Sequence, residues 1–174
     1  MKEIILTQGM VAVVDNDVYE SLCREKWYAQ RVKNGWYAVT HRKNLHDGRK
    51  IAVLMHREIL NAKSGQQIDH ADRNGLNNQV SNLRICSQSE NNANQSLRKN
   101  NTSGFKGVYW CGSARKWISK INQNGKRTII GYFSDKMDAA KAYDNAALQH
   151  YDKFALTNEK LNQTNPWQRQ THLF

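Results

Sequence analysis

QIDHADRNGLNNQVSNLRICSQSENNAN, residues Gln67 to Asn94, is the stretch on which the fold of this chain turns. An apolar residue leads into Asp69-His70, a Gly/Asn-rich turn runs from Arg73 to Asn78, and a short Ser81–Ile85 segment precedes an Asn-studded run that begins near Ser87. Gly and Asn take turn conformations readily, so the pattern predicts strand, loop, strand and helix. One carboxylate, one imidazole and several amides fall within it. Those groups suit a small site that holds one hard divalent cation beside a general base.

Working outward, the 174 residues allow one medium domain or two small ones. The formal charge of +11 and a pI near 9.7 point to an anionic partner, most often nucleic acid. The charge is also one-sided. No Asp or Glu lies between Glu90 and Asp135, whereas Arg98, Lys99, Lys106, Arg115, Lys116, Lys120, Lys126 and Arg127 all do. Cys23, Cys86 and Cys111 form no CxxC pair, which argues against a zinc finger or a disulfide framework and suits a reducing compartment. The N-terminus is too polar for a signal peptide, and no stretch approaches transmembrane length. An intracellular, cytoplasmic protein without a membrane partner is expected.

Upstream of the central stretch, Ile4–Leu6 and Val11–Val14 flank Thr7-Gln8-Gly9 and read as two strands about a tight turn. A short helix is expected from about Val18 to Glu25, after the polar Asp15-Asn16-Asp17. Trp27-Tyr28-Ala29 and Trp36–Val39 bracket Asn34-Gly35, a strong hairpin dipeptide, and Trp27 and Trp36 read as core residues. Ile51–Met55 is an apolar run, and His56–Leu60 a short helix. His56 is either a hydrogen-bonded, half-buried histidine or a second catalytic histidine reaching the site.

Downstream, Gln95–Ser103 is polar and without periodicity, a linker pattern. Strands follow at Phe105–Trp110, Lys116–Asn122 and Arg127–Phe133, with turns at Gly112-Ser113 and Asn124-Gly125. Trp117, Ser119 and Ile121 share one face of the middle strand, and Ile118, Lys120 and Asn122 the other. Ser134 reads as the N-cap of a helix whose small-residue face (Ala139, Ala140, Tyr143, Ala146, Ala147) can lie close on a sheet. From Glu159 a loosely held tail is expected, with Pro166 and with Trp167 able to dock.

A phosphodiester-cutting site needs few protein groups. A hard cation takes one carboxylate and one amide oxygen and keeps open positions for water and phosphate. A neutral histidine nearby can deprotonate the attacking water. Asp69, an Asn from the Asn91–Asn94 run, and His70 supply these groups. Asp69 and His70 are neighbours, however, and neighbours on a regular strand point to opposite faces.

Ile68-Asp69-His70, Asn77-Asn78, Ser81-Asn82-Leu83-Arg84 and Ser89-Glu90-Asn91-Asn92-Ala93-Asn94 closely resemble the HNH homing endonucleases of phage and intron origin. Upstream, IILTQGMVAVVD, Lys26-Trp27 and Met55–Leu60 look like the N-terminal half of that nuclease domain. The resemblance implies a ββα-metal finger with Asp69 as a metal ligand and His70 as the general base. It implies that Asn82 braces the loop and helps orient the histidine, and that Asn91 is the second ligand. Asn91 stands where many members have histidine; an amide oxygen favours Mg²⁺ or Mn²⁺ over softer ions. Asn92 and Asn94 remain alternative ligands.

The region after the linker has its own likeness. Ser103–Val108, Lys116-Trp117, Ile130–Phe133, Ala139-Ala140, Ala142-Tyr143-Asp144 and Ala155–Asn158 resemble the APETALA-type DNA-binding domain of plant ethylene-response factors. That likeness implies a three-stranded antiparallel sheet on one helix, with the sheet in the major groove. Lys106, Tyr109, Lys120, Asn122, Arg127 and Ile129 then occupy DNA-facing positions, and Arg115 joins the DNA-binding set. Most of these positions carry arginine or tryptophan in the plant domains, so target sequence does not transfer.

The resulting expectation is an α+β chain: an N-terminal mixed nuclease domain (residues 1–96) containing the metal finger, a linker (97–103), the three-stranded sheet and helix (104–158), and a tail (159–174). Its expected function is site-specific, metal-dependent cleavage of double-stranded DNA, by a monomer and without a small-molecule cofactor. A non-catalytic DNA-binding regulator is the rival reading, and an RNA-binding protein a weaker one.

Overall fold

Alternation of apolar and polar residues builds the first ladder. Strands β1 (Lys2–Ile5) and β2 (Val11–Val14) pair antiparallel around a 3-10 turn at Thr7–Gly9, burying Ile4, Ala12 and Val14 on one face. These observations come from a computed structural model that describes residues 1–32, 35–123 and 125–164. Helix α1 (Asn16–Leu22) starts earlier and ends sooner than its sequence suggests. Strands β3 (Tyr28–Val32), β4 (Gly35–Lys43) and β5 (Lys50–Leu54) form an antiparallel sheet in that order. Asn34 of the expected Asn34-Gly35 turn lies outside the described residues. Helix α2 (Met55–Ile59) follows directly, and strands β6 (Gln67–His70) and β7 (Leu83–Cys86) make a separate hairpin.

The chain divides into two compact units, Met1–Ser87 and Gln88–Phe174. The first has a core of Ile4, Leu6, Ala12, Val14, Leu22, Trp27, Ala29, Ala38 and Met55, with Trp36 packed against it. Trp27 is also tied by its indole N–H, which donates to the Leu22 carbonyl at 2.8 Å. Trp27 is thus a core residue as expected, while Trp36 is half-buried and packs against the core from its margin.

The second unit begins with helix α3 (Gln88–Ala93) and contains a three-stranded antiparallel sheet, β8 (Val108–Cys111), β9 (Lys116–Gln123) and β10 (Lys126–Phe133), with β9 central. Helix α4 (Lys136–Tyr151) packs on the sheet through Val108, Ala139 and Ala140, with Phe105, Trp117 and Phe133 around them. The small-residue face expected of this helix is thus its sheet-facing side. Asn124 of the Asn124-Gly125 turn is outside the described residues.

Three local expectations are corrected here. Strand β8 starts at Val108 rather than Phe105, because the backbone turns at Gly104 (φ 78°) and Gly107 (φ 75°), conformations that glycine takes without steric cost. A Cβ on Gly107 would also stand 1.9 Å from the Tyr143 ring, so helix and sheet meet closely at that point. The N-cap of α4 is Asp135, not Ser134: its carboxylate accepts from the Met137 and Asp138 amides at 2.6 and 3.2 Å. Beyond Glu159 the chain is helical as far as it is described, in α5 (Asn158–Thr164). The Asp144 carboxylate secures that start by accepting from the Asn158 and Glu159 amides. Pro166 and Trp167 lie outside the described residues. Within the expected linker, the Asn101 amide group and the Ser103 hydroxyl both donate to the Phe105 carbonyl, so its final residues are folded.

Candidate active site and nucleic-acid face

The β6–β7 hairpin pairs Asp69 with Arg84 and His70 with Leu83. Between the strands, residues 71–82 form a loop held by its own side chains. The Asn82 side chain accepts from the Asp72 amide (3.0 Å) and donates to the Asp72 carboxylate (2.9 Å) and the Asn77 carbonyl (2.8 Å). Asp72 also accepts from the Asn74 amide and the Asn77 side chain. Asn and Asp make such local bonds because their short polar arms reach backbone groups about two residues away. Strand β2 secures the same loop from outside: the Val13 amide donates to the Leu76 carbonyl (2.9 Å), and the Asn78 amide to the Val13 carbonyl (2.7 Å). The Asp15 carboxylate accepts from the Val80 amide at 2.7 Å. The N-terminal strands therefore hold the site loop.

His70 sits at the end of β6, 95 % removed from solvent. Its Nε2 lies 3.5 Å from Asn78 Oδ1, and Asn78 is fully buried. An Nε2–H donated to that amide oxygen leaves the basic lone pair on Nδ1. Two further rings meet it. Tyr37 from β4 stacks on His70 at 5.7 Å between centroids and 25° between planes, and His56 from α2 meets it edge-on at 5.0 Å. Tyr37 and His56 touch in turn at 5.1 Å, closing the cluster. Burial pushes the His70 pKa below its usual value, against the Asn78 hydrogen bond and the nearby Asp72 and Asp69 charges, which raise it. Burial, with His70 and Arg57 beside it, takes His56 down to about 3. Both imidazoles are therefore neutral at physiological pH, the form a general base requires. His56 Nδ1 is buried without a hydrogen-bond partner.

Asp69 meets a different environment. Its carboxylate is buried and ion-pairs with the guanidinium of Arg84, whose Nε donates at 3.0 Å and whose terminal nitrogen also bonds Asp69 Oδ2. The ladder thus resolves how the neighbours Asp69 and His70 are arranged. They follow ordinary strand alternation, Asp69 toward Arg84 and His70 toward the three-ring cluster. Asn91 lies partly exposed on α3 in the second unit.

Sequence reasoning gave no role to Tyr37, Asn78 or Arg84. Arg84 was accessible from the hairpin register, because it falls opposite Asp69 and opposite charges pair across strands. Nothing local marks Tyr37, which arrives from a different sheet.

On the second unit, the register places Tyr109, Ile118, Lys120, Asn122, Arg127, Ile129 and Tyr132 on the sheet face away from α4. Tyr109 and Tyr132 flank Ile118, and the Lys120 ammonium lies 5.9 Å from the Tyr109 ring centre. Tyr109, Lys120, Asn122 and Arg127 are therefore brought together. Arg115 instead occupies the β8–β9 turn at φ 48°. The Lys106 ammonium donates to the Gln95 carbonyl at 2.8 Å and to the Ala93 carbonyl, at the end of α3.

A family model described as HNH endonuclease matches residues 55–93, the segment from α2 through α3. The chain is also similar to an uncharacterized HNH endonuclease of Acanthamoeba polyphaga mimivirus, with 31 % identity over 157 residues, or 87 % of this chain and 76 % of that protein. It is 40 % identical over 63 residues to Protein 3.8 of Escherichia phage T7, covering 36 % of this chain and 52 % of the phage protein. The chain belongs to the HNH endonuclease family, a family of nucleases. It spans about half the length of the phage protein.

Members of this family typically need a divalent metal. In the hairpin Asp69 offers a buried carboxylate oxygen, paired with Arg84, and among the described residues no group of three His, Cys, Asp or Glu side chains gathers to hold a metal ion. Oxygen donors of that kind suit a hard cation that retains water. No described helix is long and apolar enough to cross a membrane.

Proposed function

We propose that this protein is a metal-dependent DNA endonuclease of the homing type, which binds a chosen duplex site and cleaves a phosphodiester bond near it. The observation that carries this reading is His70, a buried neutral imidazole set by Asn78 and Tyr37 next to the buried Asp69 carboxylate. In this role His70 takes a proton from water, the water oxygen attacks phosphorus, and the P–O bond to the leaving sugar oxygen breaks. Asp69 would hold a cation, Mg²⁺ or Mn²⁺, with Asn91 the second ligand that the motif's resemblance implies. A bound cation there supplies charge stabilisation to the phosphate and the leaving oxygen. Asn82 preserves the loop from which the base works. His56 supports His70 by ring contact, and its own depressed basicity keeps positive charge away from the base.

The sheet of the second unit grips duplex DNA, as its likeness to the APETALA-type domains implies. Its width suits a major groove, where every base pair shows a distinct pattern. Lys120 and Arg127, on one face of the sheet with Tyr109 and Asn122, contribute phosphate attraction, which makes affinity fall steeply with salt, while Tyr109 and Asn122 meet base edges.

The test uses supercoiled plasmid carrying a candidate target, with Mg²⁺, with chelator, and with a His70→Ala variant. Nicking by the wild type in Mg²⁺ alone, abolished in the variant while DNA binding persists, is the expected outcome. Tight binding by a wild type that never nicks would instead identify a non-catalytic regulator.

A further inference from the structure

We infer that Lys106 is a positioning residue for helix α3, which bears Asn91, rather than a DNA contact; this rests on the nuclease reading above. Helix α3 is six residues long. A helix that short cannot sustain itself, because nucleation costs more than its few internal hydrogen bonds return. Its last carbonyls also lack partners within the helix. Residues further along the same unit provide them. The Lys106 ammonium donates to the carbonyls of Ala93 and Gln95, and the Leu156 amide donates to Ala93 at 3.3 Å. A cation at the carbonyl end of a helix also opposes the negative end of its dipole.

The other end of α3 is tied as well. Ser89 Oγ lies 3.2 Å from the Tyr151 hydroxyl, which itself donates to the Asn122 carbonyl on β9. Lys106 is fixed in turn: its amide donates to Asn158 Oδ1 at 2.6 Å, and its carbonyl accepts from the Asn158 side chain at 3.1 Å. Asn122 is one of the residues on the proposed DNA face, and its backbone carbonyl is one hydroxyl away from Ser89. The helix that bears Asn91 is therefore tied at one end by Tyr151 of α4 and at the other by Lys106, which precedes β8, and Leu156, which follows α4. Distortion of the central strand β9 is transmitted to helix α3, and a loosened helix costs metal affinity.

The experiment compares the full-length wild type with Lys106→Met, Lys106→Arg and Tyr151→Phe. It reads three quantities: hydrogen exchange of the α3 amides, the Mn²⁺ concentration at half-saturation by electron paramagnetic resonance, and duplex affinity as a function of salt. In Lys106→Met, α3 exchange should accelerate and the Mn²⁺ half-saturation should rise by about 10-fold, as for loss of a group that orients a ligand. Duplex affinity and its salt slope should stay within about twofold, because no phosphate contact is removed. Arg at 106 should restore most of the metal affinity, and Tyr151→Phe should reproduce the loss more weakly.

A fall in duplex affinity and salt slope with unchanged α3 exchange would overturn the inference and return Lys106 to the DNA face. Unchanged α3 exchange in both Lys106→Met and Tyr151→Phe would overturn it as well. A wild type that takes up no Mn²⁺ would sink the nuclease reading and the proposed positioning role with it, an outcome separate from any change in α3 exchange.

Discussion

Acid should destabilise the first unit through His56, and the effect can be worked out in advance. The side chain is buried, its Nδ1 has no hydrogen-bond partner, and its pKa is about 3 in the folded chain. In the unfolded chain the value returns to about 6.5. A histidine with a depressed folded pKa contributes stability that is present above the unfolded pKa and lost as pH falls towards the folded one, because the unfolded chain takes up the proton first. Between pH 8 and pH 5 the unfolded state gains about 1.5 decades of protonation free energy that the folded state does not share, so His56 alone removes about 2 kcal/mol. The figure depends chiefly on the unfolded value, since pH 5 lies well above the folded pKa. His70, also depressed, acts in the same direction. For a unit of this size, 2 kcal/mol lowers the melting temperature by on the order of 10 °C. The assay is thermal melting of the wild type and of His56→Gln between pH 8 and pH 5. The wild type should lose stability over that window, and the variant should lose about 2 kcal/mol less. Parallel pH profiles for the two proteins would refute the reasoning.

Three other perturbations follow from the geometry. Arg84→Ala leaves the buried Asp69 carboxylate without its guanidinium and should cost about 3–5 kcal/mol by denaturant melting in chelator. Added Mg²⁺ should recover part of that loss if Asp69 is a metal ligand. Gly75→Ala places a Cβ 2.4 Å from the Trp36 carbonyl oxygen and the Tyr37 ring, so the loop must move off β4; a loss of about 1–3 kcal/mol is expected, with nicking reduced further than folding accounts for. Asn82→Ala removes the brace on Asp72 and Asn77 and should lower stability by about 1–3 kcal/mol in the same assay, while duplex affinity is unchanged.

The parts that were readable in advance are those that local chemistry controls. The Asp69-His70 strand, its Gly/Asn loop and the Asn82 brace depend on residues within about a dozen positions of one another, joined by short side chains to nearby backbone. The three-stranded sheet and α4 were readable for a similar reason, since period-two and helical patterns persist along each segment. Capping and boundaries fared less well: Asp135 displaced Ser134 because the competition is decided by which oxygen reaches two amides.

By itself, then, the sequence determined which groups the proposed chemistry draws on: one carboxylate, one imidazole, a bracing amide and a basic strand surface. Tertiary structure decided how each behaves. His70 is held neutral because Tyr37 from β4, His56 from α2 and Asn78 from the loop bury it. Asp69 tolerates burial because β7 brings Arg84 alongside. Lys106, in the segment before β8, reaches the end of α3, where it bonds the Ala93 and Gln95 carbonyls. Charge and hydrogen-bonding capacity belong to a residue type, whereas desolvation and partnership arise only when distant segments pack together, so those properties exist only in the folded chain.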